Sequence, residues 1–266
     1  MDNRIDSVLE MKKAAGQKAL VTFLTAGDPS LEMTYRLVNT MVEAGADLIE
    51  LGIPFSDPVA EGPVIQRANI RALKQPLPLD SIFDLAARLR ETMATPLVFL
   101  IYANSLFHYG SQAFFKKCRI CGVDGVILPD VPFEEQQEFL PLAEKEGIRI
   151  ISLVSPTSGS RIGPIASVAK GFLYCVSSLG VTGIRTDFKT NFKGFMKEVH
   201  KSTKIPAYLG FGISTPEQAR ELKDYCDGII VGSALVKQIE ESTTEVEALK
   251  KVSELTQSLR LALDSE

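Results

Sequence analysis

Glu50 stands inside an apolar run, Leu48-Ile49-Glu50-Leu51-Gly52-Ile53. Burying a lone charge there costs several kcal/mol, so the carboxyl must face an opening rather than a packed interior. Apolar neighbours raise its pKa, which suits it to carry a proton near neutral pH. A strand-end Glu paired with a Lys or Arg remains the structural alternative. The segment continues Pro54-Phe55-Ser56-Asp57-Pro58-Val59-Ala60-Glu61-Gly62-Pro63 and adds two more carboxylates, Asp57 and Glu61, on a long connection. Asp before Pro is commonly a turn residue.

A second kind of chemistry is written in the glycines. Gly210-Phe211-Gly212-Ile213-Ser214 and Val231-Gly232-Ser233-Ala234 each follow a short apolar run near the C-terminus. Glycine lets backbone N–H groups approach oxygens closely, and a following helix adds its dipole, so such loops hold phosphate. Single glycine pairs more often make turns and helix ends. Neither loop contains Lys or Arg, so neutral donors, with the Ser233 hydroxyl among them, are expected to hold the anion. Gly180-Val181-Thr182-Gly183 is a third such loop, and residues 180–191 are expected to be mobile until a ligand arrives.

Other chemistries find little support. There are two histidines, His108 and His200, and neither belongs to a nucleophile triad or a metal site. No Lys ends an apolar run, which disfavours a Schiff base. Cys118 and Cys121 form one C-x-x-C without a second pair, and all four cysteines are expected to be reduced structural thiols.

The elements that must position these residues follow a regular alternation. Eight apolar runs recur: Ala19–Thr25, Leu48–Ile53, Leu97–Tyr102, Gly125–Pro129, Ile148–Val154, Phe172–Val176, Ala207–Gly210 and Gly228–Val231. They show no polar alternation, as expected of parallel strands covered by helices. Helical patterns lie between them, among them 31–44 after Asp28-Pro29-Ser30, 133–146 after Asp130-Val131-Pro132, and one opened by Ser214-Thr215-Pro216-Glu217. An open doubly wound sheet would place a glycine-rich phosphate loop after the first strand. Here Thr25-Ala26-Gly27-Asp28-Pro29 stands instead, and the glycine loops follow strands seven and eight, where barrels hold phosphate. The expected fold is a single-domain (β/α)8 TIM barrel over 1–266, preceded by a charged amphipathic helix within 1–18.

The whole chain agrees with that reading. Its 266 residues suit one such barrel, and 29 Lys and Arg against 33 Asp and Glu give a net charge of −4, without the basic face of a nucleic-acid or membrane-surface protein. No apolar run reaches the ~18 residues of a membrane span, and a cytoplasmic location is expected.

Residues 50–58, Glu-Leu-Gly-Ile-Pro-Phe-Ser-Asp-Pro, resemble the signature of the tryptophan synthase alpha subunit family. Phe23-Leu24-Thr25-Ala26-Gly27-Asp28-Pro29, Tyr102-Ala103-Asn104, Asp130-Val131-Pro132 and the three glycine loops extend the resemblance over nearly the whole chain. It implies retro-aldol cleavage of indole-3-glycerol phosphate to indole and glyceraldehyde 3-phosphate, the last stage of tryptophan biosynthesis. It implies no cofactor in this subunit, and a beta-subunit partner carrying pyridoxal phosphate in an α2β2 heterotetramer. By the same resemblance Glu50 is the catalytic acid–base group. Phe23, Leu100, Tyr102, Ile127 and Tyr174 fall at the indole and glycerol pocket. Gly183, Phe211, Gly212, Gly232 and Ser233 fall at the phosphate site, and Thr182 in the closing loop.

One position departs from the family pattern. Glu61 stands where the family carries an Asp that bonds the indole N–H. The extra methylene adds about 1.5 Å of reach, and displacements near 1 Å can cost ~10²-fold in rate. Reduced or partner-dependent cleavage is therefore expected, with a weakened subunit that mainly activates its partner as the alternative. A different phosphosugar barrel is a third reading. It fits less well, because metal-binding His residues are missing and strands one and five end in Thr25 and Val154.

Overall fold

Strands apolar on both faces need cover on both, which a closed parallel barrel gives with helices outside and side chains filling the inside. The computed structural model, which describes residues 3–176, 186–210 and 212–265, has this arrangement. Its strands are β1 (Ala19–Thr25), β2 (Leu48–Gly52), β3 (Leu97–Leu100), β4 (Gly125–Ile127), β5 (Arg149–Ile150), β6 (Ser152–Val154), β7 (Leu173–Val176), β8 (Ala207–Gly210) and β9 (Gly228–Val231). All pairings are parallel, in the order β5-β4-β3-β2-β1-β9-β8-β7-β6.

Nine strands make eight barrel staves. β5 and β6 are successive parts of the expected fifth run, separated by Ile151, whose N–H still bonds Val126 O at 2.9 Å. β5 pairs with β4 and β6 with β7, so the ring passes from one ladder to the other within this stave. The fold is a TIM barrel with an added N-terminal helix, as the sequence implies.

Alternate residues divide the core into two layers. Ala19 and Val21 of β1 point inward with Leu48, Val98, Ile127 and Ile230, whereas Leu20 and Leu24 point outward against the helices. The N-terminal helix is shorter than 1–18, running Arg4–Ala14. It is capped by Asn3 Oδ1, which accepts from Ile5 N, and it is followed by Gly16 at φ 65°. It closes the lower end of the barrel with Ile5 and Leu9, which join the inner layer. Asn3 Nδ2 donates to the carbonyls of Asp124 and Gly147, and Arg4 and Arg90 both pair with the Asp124 carboxylate.

The helix expected over 133–146 is divided. A 3-10 turn, Phe133–Glu138, precedes an α-helix, Leu140–Lys145. Pro141 explains the break, since it has no N–H for a preceding turn and its ring crowds the carbonyl four residues back.

Candidate active site

The upper layer of the barrel is where the charge sits. Glu50 lies mid-strand in β2, with Phe23 of β1 and Val98 of β3 as its register partners. Backbone ladders on both sides fix its direction, and the inward face leads into a cavity of about 720 Å³ above the inner core. Phe23, Leu100 and Tyr174 line the same cavity. Glu50 is 1% exposed, and its Oε2 has no hydrogen-bond partner among the described residues. Burial, and then the negative charge of Glu61, push its pKa up to about 8. An unpaired buried carboxyl aimed into a cavity is a group awaiting a ligand.

Glu61 reaches the cavity from the connection between β2 and the helix Pro63–Ala72. Its backbone is held at several points: Glu61 N–H bonds Pro58 O, Gln66 Nε2 donates to Glu61 O at 2.8 Å, and Ala60 N–H donates to the Tyr102 hydroxyl at 3.1 Å. Its carboxylate accepts from Asn69 Nδ2 at 2.6 Å and from the Tyr102 hydroxyl. Burial raises its pKa to about 7, and these two hydrogen bonds oppose the rise. Tyr102 stacks on Phe55 with ring centroids 4.9 Å apart, and Asp130 accepts from Ala103 N at 3.0 Å beside it. Asp57 has the expected turn role: its carbonyl takes Val59 N at 2.9 Å, and it does not line the cavity.

Two expected pocket residues stand elsewhere. Ile127 packs in the inner core without facing the cavity, and Tyr102 acts on Glu61 from behind rather than forming the wall. Thr182, Gly183 and Phe211, with most of the expected closing loop, lie outside the described residues.

The loops after β8 and β9 contribute Gly212, Ile213, Ser214, Gly232, Ser233 and Ala234 to the cavity wall. Ser233 opens the helix Ser233–Glu240, so its N–H and hydroxyl stand at the positive end of a helix dipole. Not every glycine here serves an anion. A Cβ at Gly210 would lie 2.5 Å from the Tyr174 ring, and one at Gly52 2.6 Å from Phe23 Cζ. These two positions must be glycine for the aromatic walls to lie where they do.

Three polar wall residues are missing from the sequence reading. Ser155 and Ser158 come from the turn after β6, and Lys237 comes from the helix after β9. Lys237 adds a cation to the cavity wall beside the two glycine loops, which themselves contain no Lys or Arg. The signal is available in the sequence, because Lys237 lies four residues after Ser233 and hence on the same helical face. Among the described residues no group of three or more His, Cys, Asp or Glu is arranged for a metal. All four cysteines are free and buried.

Residues 9–263 match the family model described as tryptophan synthase alpha chain. The tryptophan synthase alpha chain of Thermoanaerobacter sp. (strain X514) is 49% identical over 98% of this chain and 100% of its own length. That of Lacticaseibacillus casei is 44% identical over 93% and 92%. Among solved structures, tryptophan synthase subunit alpha from Legionella pneumophila str. Paris superposes with a TM-score of 0.91 at 38% identity, covering 99% of both chains.

Proposed function

The chain belongs to the tryptophan synthase alpha chain family and is a carbon–carbon lyase of that family, and we propose that Glu50 and Glu61 together carry its cleavage of indole-3-glycerol phosphate to indole and glyceraldehyde 3-phosphate. The observation that carries this assignment is the unpartnered Glu50 oxygen, buried and facing a cavity that also receives Glu61. Retro-aldol cleavage needs a proton delivered to indole C3, a proton removed from the glycerol hydroxyl, and stabilisation of the positive indolenine between those events. The carbon–carbon bond then breaks, its electron pair returns to the ring, and the former hydroxyl oxygen becomes the aldehyde.

The two carboxyls suit these tasks by their different proton affinities. Glu50, held to about 8, carries a proton at neutral pH and acts as the acid at C3, and the carboxylate this leaves takes the proton of the glycerol hydroxyl. Glu61, nearer 7 and held by Asn69 and Tyr102, is the group that ionises first and stabilises the cation through the indole N–H. Phe23, Leu100 and Tyr174 flank the indole and glycerol, and Gly212, Gly232 and Ser233 hold the phosphate. Thr182, Gly183, Phe211 and Ile127 are assigned by resemblance alone, and Tyr102 acts by holding Glu61.

The partner in this reading is a tryptophan synthase beta subunit in an α2β2 assembly, and pyridoxal phosphate belongs to that subunit. The connection 54–62 supports a docking role, with Val59 82% exposed beside the carboxylate it positions. No described helix is long and apolar enough to cross a membrane. Free, buried thiols fit a cytoplasmic site.

The test is indole release from indole-3-glycerol phosphate by the wild type, Glu50→Gln and Glu61→Asp, each with and without a beta subunit. Loss of cleavage in Glu50→Gln, with kcat/KM higher in Glu61→Asp than in the wild type, is expected. Persistent cleavage in Glu50→Gln would remove the acid from Glu50. Equal rates in wild type and Glu61→Asp would show that the longer side chain costs nothing.

A further inference from the structure

The wall of the cavity has an unbalanced charge distribution. Two carboxyl groups, Glu50 and Glu61, line it, and Lys237 is the sole described Lys or Arg that does. A phosphate monoester carries about −1.5 to −2 charge at neutral pH, more than neutral donors and one helix dipole offset. Lys237 lies one turn beyond Ser233 on the helix Ser233–Glu240, on the face that meets the cavity. The preceding residue, Val236, is buried with Phe23 and Ala68, and Phe23 also lines the cavity, so the helix is held against the cavity wall.

Lys237 is also uncommitted in a way its neighbours are not. Glu240 is engaged by Arg67 and Arg71 at 2.7 Å each. Lys237 has a looser contact, 3.6 Å to Glu241, and both side chains are more than half exposed. Exposed pairs of this kind contribute little and exchange readily, so the ammonium is free to turn toward an anion at Ser233.

We infer that Lys237 is a cation by which this site selects a phosphorylated substrate over its unphosphorylated counterpart. The inference rests on the proposed phosphate end of the cavity. Gly212, Gly232 and Ser233 give the anion its shape and near donors. Lys237 gives it a long-range attraction that an uncharged glycerol end would not feel.

The experiment compares indole-3-glycerol phosphate with indole glycerol, using wild type, Lys237→Met and Lys237→Arg in complex with a beta subunit. Lys237→Met is expected to raise KM for the phosphorylated substrate roughly three- to tenfold, with kcat changing much less, as fits one partly exposed charge pair. The preference for the phosphorylated substrate falls by the same factor, Lys237→Arg restores it, and added salt narrows the difference between wild type and Lys237→Met. An unchanged preference in Lys237→Met overturns the inference. If the wild type cleaves neither substrate, the functional reading fails by itself. Lys237 is then judged by equilibrium binding of inorganic phosphate, where equal affinity in wild type and Lys237→Met overturns it.

Discussion

Glu50 is held neutral by its surroundings, and the folded protein is less stable for it at higher pH. The unfolded chain releases this proton near 4.5, whereas the folded chain keeps it to about 8. Between those values the native state binds a proton that the unfolded state has lost, so stability falls as pH rises through the window. Each tenfold change in proton affinity is worth about 1.4 kcal/mol. Glu50→Gln, which cannot ionise, is expected to exceed the wild type in unfolding free energy by several kcal/mol above about pH 8, with the advantage shrinking toward pH 4.5. Denaturant titrations of both proteins across that range check this, and parallel pH profiles would contradict it. Glu50 is legible in the sequence because a charge inside an apolar run has few explanations. Asn69 is not. It is 3% exposed and bonded to Glu61, yet an Asn on a short helix looks solvent-facing until the fold turns that face inward.

At the scale of elements, loops near the site are held by the helices that follow them. Thr215 caps the helix Pro216–Leu222, and Gln218 completes the capping box. The Gln218 Oε1 also accepts from Ser214 N at 2.8 Å and Ser214 Oγ at 3.1 Å. One side chain therefore fixes both a helix start and a stretch of cavity wall. Thr215→Ala is expected to cost about 1 kcal/mol of stability, read from thermal or denaturant melts. Gln218→Ala is expected to raise substrate KM more than it lowers kcat, because Ser214 and its neighbours lose their anchor. The Thr-Pro-Glu start announces this helix in the sequence. The break of the fifth stave at Ile151 has no such signal, because no Gly or Pro interrupts the run 148–154 and only the change of ladder partner divides it.

The molecule as a whole separates its two ends. The upper end holds the cavity that Glu50 and Glu61 line, and the lower end is sealed by Ile5 and Leu9 inside the barrel wall. Ile5→Ala is expected to cost roughly 2–5 kcal/mol, the range for a truncated buried aliphatic side chain. Indole release well below the melting temperature stays at the wild-type rate. A rate loss larger than the fraction unfolded would show that the two ends are coupled. The alternating pattern makes the barrel legible from the sequence, but the docking of the first helix is not, since its partners are remote in the chain. Asn3 bonds carbonyls 121 and 144 residues later, and β1 pairs with β9, the last strand. During synthesis the first helix therefore leaves the ribosome long before Asp124 and Gly147, and Arg149, which pairs with Asp6, exist to receive it. Ile5 and Leu9 stay uncovered through much of translation, and the first strand waits for the last. The nascent chain thus carries exposed apolar surface and an unpaired strand edge for most of its elongation, the two features that favour aggregation.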